Sequence, residues 1–325
     1  MDKVRLGIIG VSWWTEVVYP GFARATNAEI TWVASRREDR VRAFAEQHAI
    51  PNWTTDVGRM LCAGDVDAVF VGVPNFLHEE MAIAAISQGK HVLQEKPMAL
   101  STEKALAQCE VAKSRGVVLS VNQILRMVAG VRDLPALFRD TLGPLRKLNI
   151  SLVMTPTEWT GWRADPKLSG GTLFEMAIHQ LDLARWLFGR NPQAVWATGA
   201  DIPGHDMTVI LDFGEGDSAI VDFCWRSAGF HQRILACGEK GFVTQALALP
   251  VGRGHQTITT AHGAKRSEFQ ADALGPATFQ RMLEGFAQAI LEGTEPPVPA
   301  WDGVWAVRIA EASRRALREG KPISL

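Results

Sequence analysis

The chain has 325 residues, 34 Lys and Arg against 35 Asp and Glu, and a formal net charge of −1. That length exceeds the usual single core, so two domains are expected. The balanced charge, with no long run of one sign, removes any electrostatic case for nucleic acid or an anionic membrane as partner.

Residues 4–9 form a short apolar run that breaks at Gly10, the pattern of a buried strand. A helix follows over 15–26, a second strand over 29–35 and a charged helix over 38–48, closed by Pro51. A short helix is read at 56–63 and a strand at 68–73, apolar throughout as in a strand buried on both faces. A helix over 77–88 stops at Gly89. A strand over 91–94, a helix capped by Ser101 and stopped by Gly116, and a strand over 117–121 complete the alternation. This rhythm predicts a doubly wound parallel sheet over residues 1–122.

After Asn122 the rhythm changes. A long strand is read at 145–154 and a strong helix at 171–188, then strands at 194–200, 207–213, 218–225, 233–237 and 242–247. In the third of these, Ala219, Val221, Phe223 and Trp225 alternate with Ile220, Asp222, Cys224 and Arg226, as in an antiparallel sheet covered on one face. Helices at 276–292 and 303–319 finish the chain. The fold class is therefore α/β: a Rossmann domain over 1–122, then an α+β domain over 123–325 with a large, mostly antiparallel sheet. The open face of that sheet suits a second subunit.

Cys62, Cys109, Cys224 and Cys237 lack CxxC spacing and suggest neither a zinc site nor disulfides, so a reducing cytoplasm is expected. The first strand begins near Val4 and leaves no room for a signal peptide, and no apolar run reaches membrane-spanning length.

The turn Gly10-Val11-Ser12-Trp13-Trp14-Thr15 occupies the place of a dinucleotide fingerprint, where a helix N-terminus meets a pyrophosphate. Ser12 and Thr15 stand where the second and third glycines belong, and Thr15 is expected to loosen helix–sheet packing or to move the helix outward. Ser35-Arg36-Arg37 ends the second strand where a carboxylate would select NAD; a hydroxyl and two guanidinium groups suit the 2′-phosphate of NADP. Pro74 and Asn75 follow the strand at 68–73 and face the same ligand; His78 could meet it as well or be a first-turn helix residue with no task, and the second reading is preferred. Glu95-Lys96-Pro97 places a lysine at the rim of the sheet. Candidate cofactor contacts are Gly10, Ser12, Trp13, Ser35, Arg36, Arg37, Pro74, Asn75, Glu95, Lys96 and Asn122.

In the helix at 171–188, Glu175, His179 and Asp182 fall at i, i+4 and i+7, one face of an otherwise apolar helix. A histidine between carboxylates is a tuned proton carrier. A hydrogen-bonded core triad is compatible with the same spacing, and a metal pair is disfavoured because no third strong ligand lies near. Trp159 and Trp162, with Arg163, suit either the apolar face of a sugar ring or packing beneath their loop.

These pieces, in this order, resemble the glucose–fructose oxidoreductase / inositol dehydrogenase / MocA (Gfo/Idh/MocA) family over nearly the whole chain. The motifs are Gly10, Pro74-Asn75 with His78, Gly89-Lys90-His91-Val92, Glu95-Lys96-Pro97, Gly170-Gly171 leading to His179 and Asp182, and Asp302-Gly303. Ser35-Arg36, Asn122 with Leu125-Arg126, and Gly161-Trp162-Arg163 look most like the family's NADPH-dependent sugar reductases. The resemblance implies hydride transfer at a carbinol or carbonyl carbon of a sugar, anhydrosugar or cyclitol, with NADP(H) favoured over NAD(H). It implies that Lys96 hydrogen-bonds the reacting oxygen and His179 carries the proton, with Glu175 in place of the family's aspartate. Lys96, Arg126, Trp162, Arg163, Glu175 and His179 would line the sugar site. A homo-oligomer formed through the second sheet is expected. A dinucleotide-binding sugar sensor without turnover, and a redox-assisted glycoside hydrolase or lyase, remain alternatives.

Overall fold

The computed structural model describes residues 2–155, 158–202, 205–248 and 251–325. The chain divides into two compact units. One comprises Met1–Gln123 with Leu274–Val304, and the other Ile124–Ala273 with Trp305–Leu325. The first unit thus includes a late segment that the sequence reading gives to the second domain.

In the first unit six strands form a wholly parallel sheet. They are β1 (Val4–Ile9), β2 (Ala28–Ala34), β3 (Asn52–Thr54), β4 (Ala68–Val71), β5 (His91–Gln94) and β6 (Leu119–Val121). The order is β3-β2-β1-β4-β5-β6, with parallel pairing throughout. β1 and β4 lie at the centre, and Ala68, Val69, Phe70 and Val71 are all fully buried, which is why that run carries no polar alternation. Strand order reverses between β1 and β4, so their carboxyl ends mark the switch point where such sheets hold ligands. β3, a three-residue edge strand, was not expected. The helix Trp13–Phe22 starts two residues earlier than the sequence reading places it. It rests on the helix Pro276–Glu292 at Gly21, where a Cβ would lie 2.5 Å from the Cβ of Phe279 and from the carbonyl oxygen of Pro276.

The second unit holds a nine-stranded sheet. Its strands are β7 (Leu145–Met154), β8 (Ala194–Gly199), β9 (Met207–Gly214), β10 (Asp217–Cys224), β11 (Phe230–Gly238), β12 (Gly241–Ala248), β13 (Val251–Thr260), β14 (Gly263–Asp272) and β15 (Ile323–Ser324). Their order is β14-β13-β12-β11-β7-β10-β9-β8-β15. Among the described residues of this sheet only the β7–β10 pair is parallel. The β13–β14 hairpin was not expected. Alternation in β10 is as the sequence indicates: Ala219, Val221, Phe223 and Trp225 are buried, while Ile220 is exposed. The helix Ile178–Phe188 packs on β7 and β10 and covers that inner face. Just before it, Leu173–Ala177 is a π turn rather than the continuous α-helix expected.

Candidate functional site

At the end of β1 the backbone of Gly10 has φ +103, and a Cβ there would lie 2.5 Å from the carbonyl oxygen of Gly72. Only glycine fits both the dihedral and the approach of the two central strand ends. Ser12 caps the helix Trp13–Phe22: its hydroxyl accepts from the Trp14 amide (3.2 Å), while the Thr15 hydroxyl accepts from the Ser12 amide (3.3 Å). Thr15 also donates to the Gly10 carbonyl (2.8 Å) and is buried. Thr15 therefore ties the helix to the strand end, contrary to the looser packing expected of it. A helix N-terminus at the switch point, entered through a glycine, suits a dinucleotide pyrophosphate.

Glu95 is the centre of this edge. Its Oε1 accepts from the Trp14 indole (2.8 Å) and from the Asn122 amide (2.5 Å), and its Oε2 from the backbone N–H of Lys96 (3.3 Å). One buried carboxylate thereby joins the turn after β1, the end of β5 and the end of β6. Burial pushes its carboxyl above the ordinary value, opposed by the Trp14 indole, the Lys96 charge and the Asn122 amide. Lys96 itself is partly exposed and precedes a cis peptide bond to Pro97. Asn75 is buried in the turn after β4. His78 is buried too, with both ring nitrogens against backbone carbonyls.

Arg36 and Arg37 are exposed beyond β2. They are not equivalent, because Asp39 holds the Arg37 guanidinium at 2.9 Å. Trp13 is 60% exposed and meets Trp14 edge to face, with ring centroids 5.4 Å apart.

In the second unit the carboxylates of the polar stripe each have an arginine. Glu175, in the π turn, accepts from Arg163 Nε at 2.8 Å, and the Arg163 guanidinium lies 4.4 Å over the Trp162 ring. Asp182 takes Arg126 in a two-pronged pair, Nε to Oδ2 at 2.8 Å and Nη2 to Oδ1 at 2.5 Å, with both side chains 1% exposed. Arg126 was expected to line a sugar pocket; its guanidinium is buried against Asp182 and beneath the Trp186 ring. His179 is partly exposed. Trp159 stacks edge to face with the buried Trp225 (5.6 Å).

Sequence reasoning missed the supports of this helix. Asp201 accepts from the Leu173 amide (2.8 Å) and from Arg314 Nε (2.8 Å), and Arg314 also donates to the Gly170 carbonyl. Burial pushes the Asp201 carboxyl up, while Arg314 and the Leu173 and Thr172 amides act to lower it. No spacing rule links residues 113 apart. Trp14 was likewise passed over, although its place in the fingerprint turn was a usable signal. Among the described residues no group of three or more His, Cys, Asp or Glu is placed to hold a metal ion, and no helix is long and apolar enough to cross a membrane.

Residues 4–123 match the model of an oxidoreductase family's NAD-binding Rossmann fold, and residues 137–325 match the model of the same family's C-terminal alpha/beta domain. The 1,5-anhydro-D-fructose reductase of Ensifer adhaerens is 28% identical, with 98% of this chain and 97% of the relative covered. A scyllo-inositol 2-dehydrogenase (NADP(+)) of Bacillus subtilis is 29% identical, with 67% and 69% covered. The crystal structure of aldose-aldose oxidoreductase from Caulobacter crescentus, complexed with glycerol, superposes with a TM-score of 0.89 at 27% identity, covering 99% of this chain and 100% of that one.

Proposed function

Because this chain belongs to the Gfo/Idh/MocA oxidoreductase family, we propose that it is an NADP(H)-dependent enzyme moving hydride to or from a carbon of a sugar, anhydrosugar or cyclitol. The two relatives above are by name a reductase of an anhydrosugar and a dehydrogenase of a cyclitol, the second with NADP(+) in its name. The observation that carries the reading is the Glu95 junction. It fixes the backbone of Lys96 to the same carboxylate that holds the fingerprint turn through Trp14 and the end of β6 through Asn122. The backbone of a lysine is thereby held at the edge of a sheet whose switch point suits a dinucleotide.

When bound, the nicotinamide supplies or accepts the hydride. Lys96 hydrogen-bonds the reacting oxygen and stabilises negative charge as it develops there. His179 exchanges that oxygen's proton. Glu175 and Arg163 hold sugar hydroxyls, with the Trp162 face against the ring's C–H surface. NADP is preferred over NAD because Arg36 and Arg37 stand where a carboxylate would otherwise exclude a 2′-phosphate. The protein works as a homo-oligomer through the open face of the second sheet. Support for this is an apolar row that register places side by side: Trp196, Ile210, Ile220 and, beyond Asn149, Leu235. Trp196, Ile220 and Leu235 are 38%, 37% and 42% exposed in the isolated chain.

The test is an absorbance screen of carbonyl sugars with NADPH and of sugar alcohols with NADP⁺. Lys96→Met and His179→Ala should each lower kcat about 10²–10⁴-fold while NADPH binding survives. Wild-type turnover in either variant rejects its assigned role. NADPH binding without turnover of any sugar returns the protein to the sensor reading.

A further inference from the structure

We propose that His78 is a positioning residue for Lys96: a doubly protonated imidazole that clamps the carbonyl of Pro97 to that of Val73 and so fixes the turn that carries the lysine. The inference deepens the reading above and rests on it. His78 opens the helix His78–Ser87 and is 1% exposed. Its Nδ1 lies 2.6 Å from the Pro97 carbonyl oxygen and its Nε2 lies 2.8 Å from that of Val73. These two carbonyls are acceptors only. A neutral ring has one N–H, so its other nitrogen would present a lone pair to a carbonyl lone pair, either in the buried Pro97 contact or in the part-buried Val73 contact. A proton on each nitrogen removes that conflict and satisfies both carbonyls.

The clamp spans two loops at the carboxyl edge of the sheet, since Val73 follows β4 and Pro97 follows β5. The rest of the turn is held in the same manner. Gln94 Nε2 and Gln108 Nε2 both donate to the Met98 carbonyl, at 2.6 and 2.8 Å, and the Lys96 amide donates to Glu95. Proline has no N–H, so at residue 97 the carbonyl is the backbone's one handle on its surroundings. Glu79 and Glu80 share the helical turn that His78 opens, and Glu95 and Lys96 precede Pro97 on the clamped loop. Lys104, on the packed helix Thr102–Arg115, pairs with Glu79 at 2.6 Å. An error of about 1 Å in a reacting group's position costs about 10²-fold in rate, so the clamp acts on turnover rather than on affinity.

The experiment has two arms. Long-range ¹H–¹⁵N NMR of histidine-labelled wild type at mildly alkaline pH, with His78 assigned by its loss in His78→Gln, reads the ring state. Two protonated nitrogens are expected; one bare nitrogen overturns the clamp. Kinetics on the best sugar of the screen form the second arm. His78→Gln, which keeps one donor group, should lower kcat about tenfold, and His78→Leu about a hundredfold. The sugar KM and the NADPH Kd should stay within about threefold, a split that general loosening of the domain would not give. Wild-type kcat in both variants overturns the positioning role. Should His78→Leu fail to fold, the Gln variant and the wild-type spectrum decide. Should no sugar turn over, the role toward a catalytic Lys96 falls with the functional reading, while the NMR arm still judges the clamp on its own.

Discussion

Arg126→Met removes one half of the most deeply buried ion pair described in the second unit. Arg126 and Asp182 are each 1% exposed at the side chain and share two hydrogen bonds of 2.8 and 2.5 Å. Deleting the guanidinium takes two charge-assisted hydrogen bonds from a buried carboxylate, and breaking a buried pair in this way costs about 3–5 kcal/mol. For a unit of this size the melting temperature should fall roughly 6–20 °C, read by differential scanning calorimetry. The double variant Arg126→Met/Asp182→Leu removes both charges and keeps the volume, so it should recover at least half of that loss. A single-variant shift smaller than about 1 kcal/mol, or a double variant no more stable than Arg126→Met, would refute the argument. The pair also separates two roles for Arg126. If the double variant regains stability and the wild-type KM together, the arginine serves Asp182 and the helix. A KM that stays high after stability returns would make Arg126 a sugar contact, as the sequence alone suggests.

Two further outcomes follow from local geometry. Arg36→Ala should weaken NADPH binding about 10- to 100-fold and leave NADH within about twofold, whereas Arg37→Ala should do less, because Asp39 already occupies that guanidinium. Equal losses for the two dinucleotides in a fluorescence titration would sink the 2′-phosphate assignment. Burial and the Glu110 charge push the Cys109 thiol up to about 11, so a thiol reagent at mildly alkaline pH should label exposed Cys62 fully and leave Cys109 unmodified by mass spectrometry. Prompt labelling of Cys109 would contradict that burial.

The parallel sheet was legible because its strands are apolar runs closed by turn residues, and β10 was legible because it alternates cleanly. The β13–β14 hairpin was not. Residues 254–260 read GHQTITT and residues 263–268 read GAKRSE, with polar side chains on both faces, so no period stands out. The stripe Glu175, His179 and Asp182 was visible from helical spacing. Its partners were not, because Arg163 and Arg126 come from loops that only the fold brings near. A π turn at Leu173–Ala177 also departs from the constant period that such spacing assumes. At the dinucleotide edge, Glu95 and Asn122 could be singled out as candidates, but their junction through Trp14 depends on strand order. β5 and β6 must lie on the β4 side of β1 before one carboxylate can reach both neighbours. His78 was set aside because a histidine's value depends on which acceptors flank both nitrogens, and neither Val73 nor Pro97 advertises a free carbonyl in sequence.

Glu95 makes a prediction whose sign can be worked through. Burial raises its carboxyl above the ordinary value of 4.5, so the folded protein holds that proton more tightly than the unfolded chain does. Its contribution to stability is therefore fully present below 4.5 and is lost as pH rises through the raised folded value. Glu95→Gln cannot ionise and lacks this slope. Its amide oxygen can still accept from Trp14 and Asn122, and the bond it forfeits is the long one to the Lys96 amide, 3.3 Å. Melting temperatures measured across pH should show wild type losing ground relative to Glu95→Gln as pH rises from 4.5, until the folded carboxyl has ionised and the two curves run level. Asp201 is raised by burial as well, but it sits in the other unit and titrates identically in both proteins, so it cancels from the difference. Curves parallel throughout would mean that Glu95 titrates alike in the folded and unfolded chains. An ionised Glu95 at neutral pH would then hold its place through its three donors and the Lys96 charge alone, with burial exerting no net pull against them.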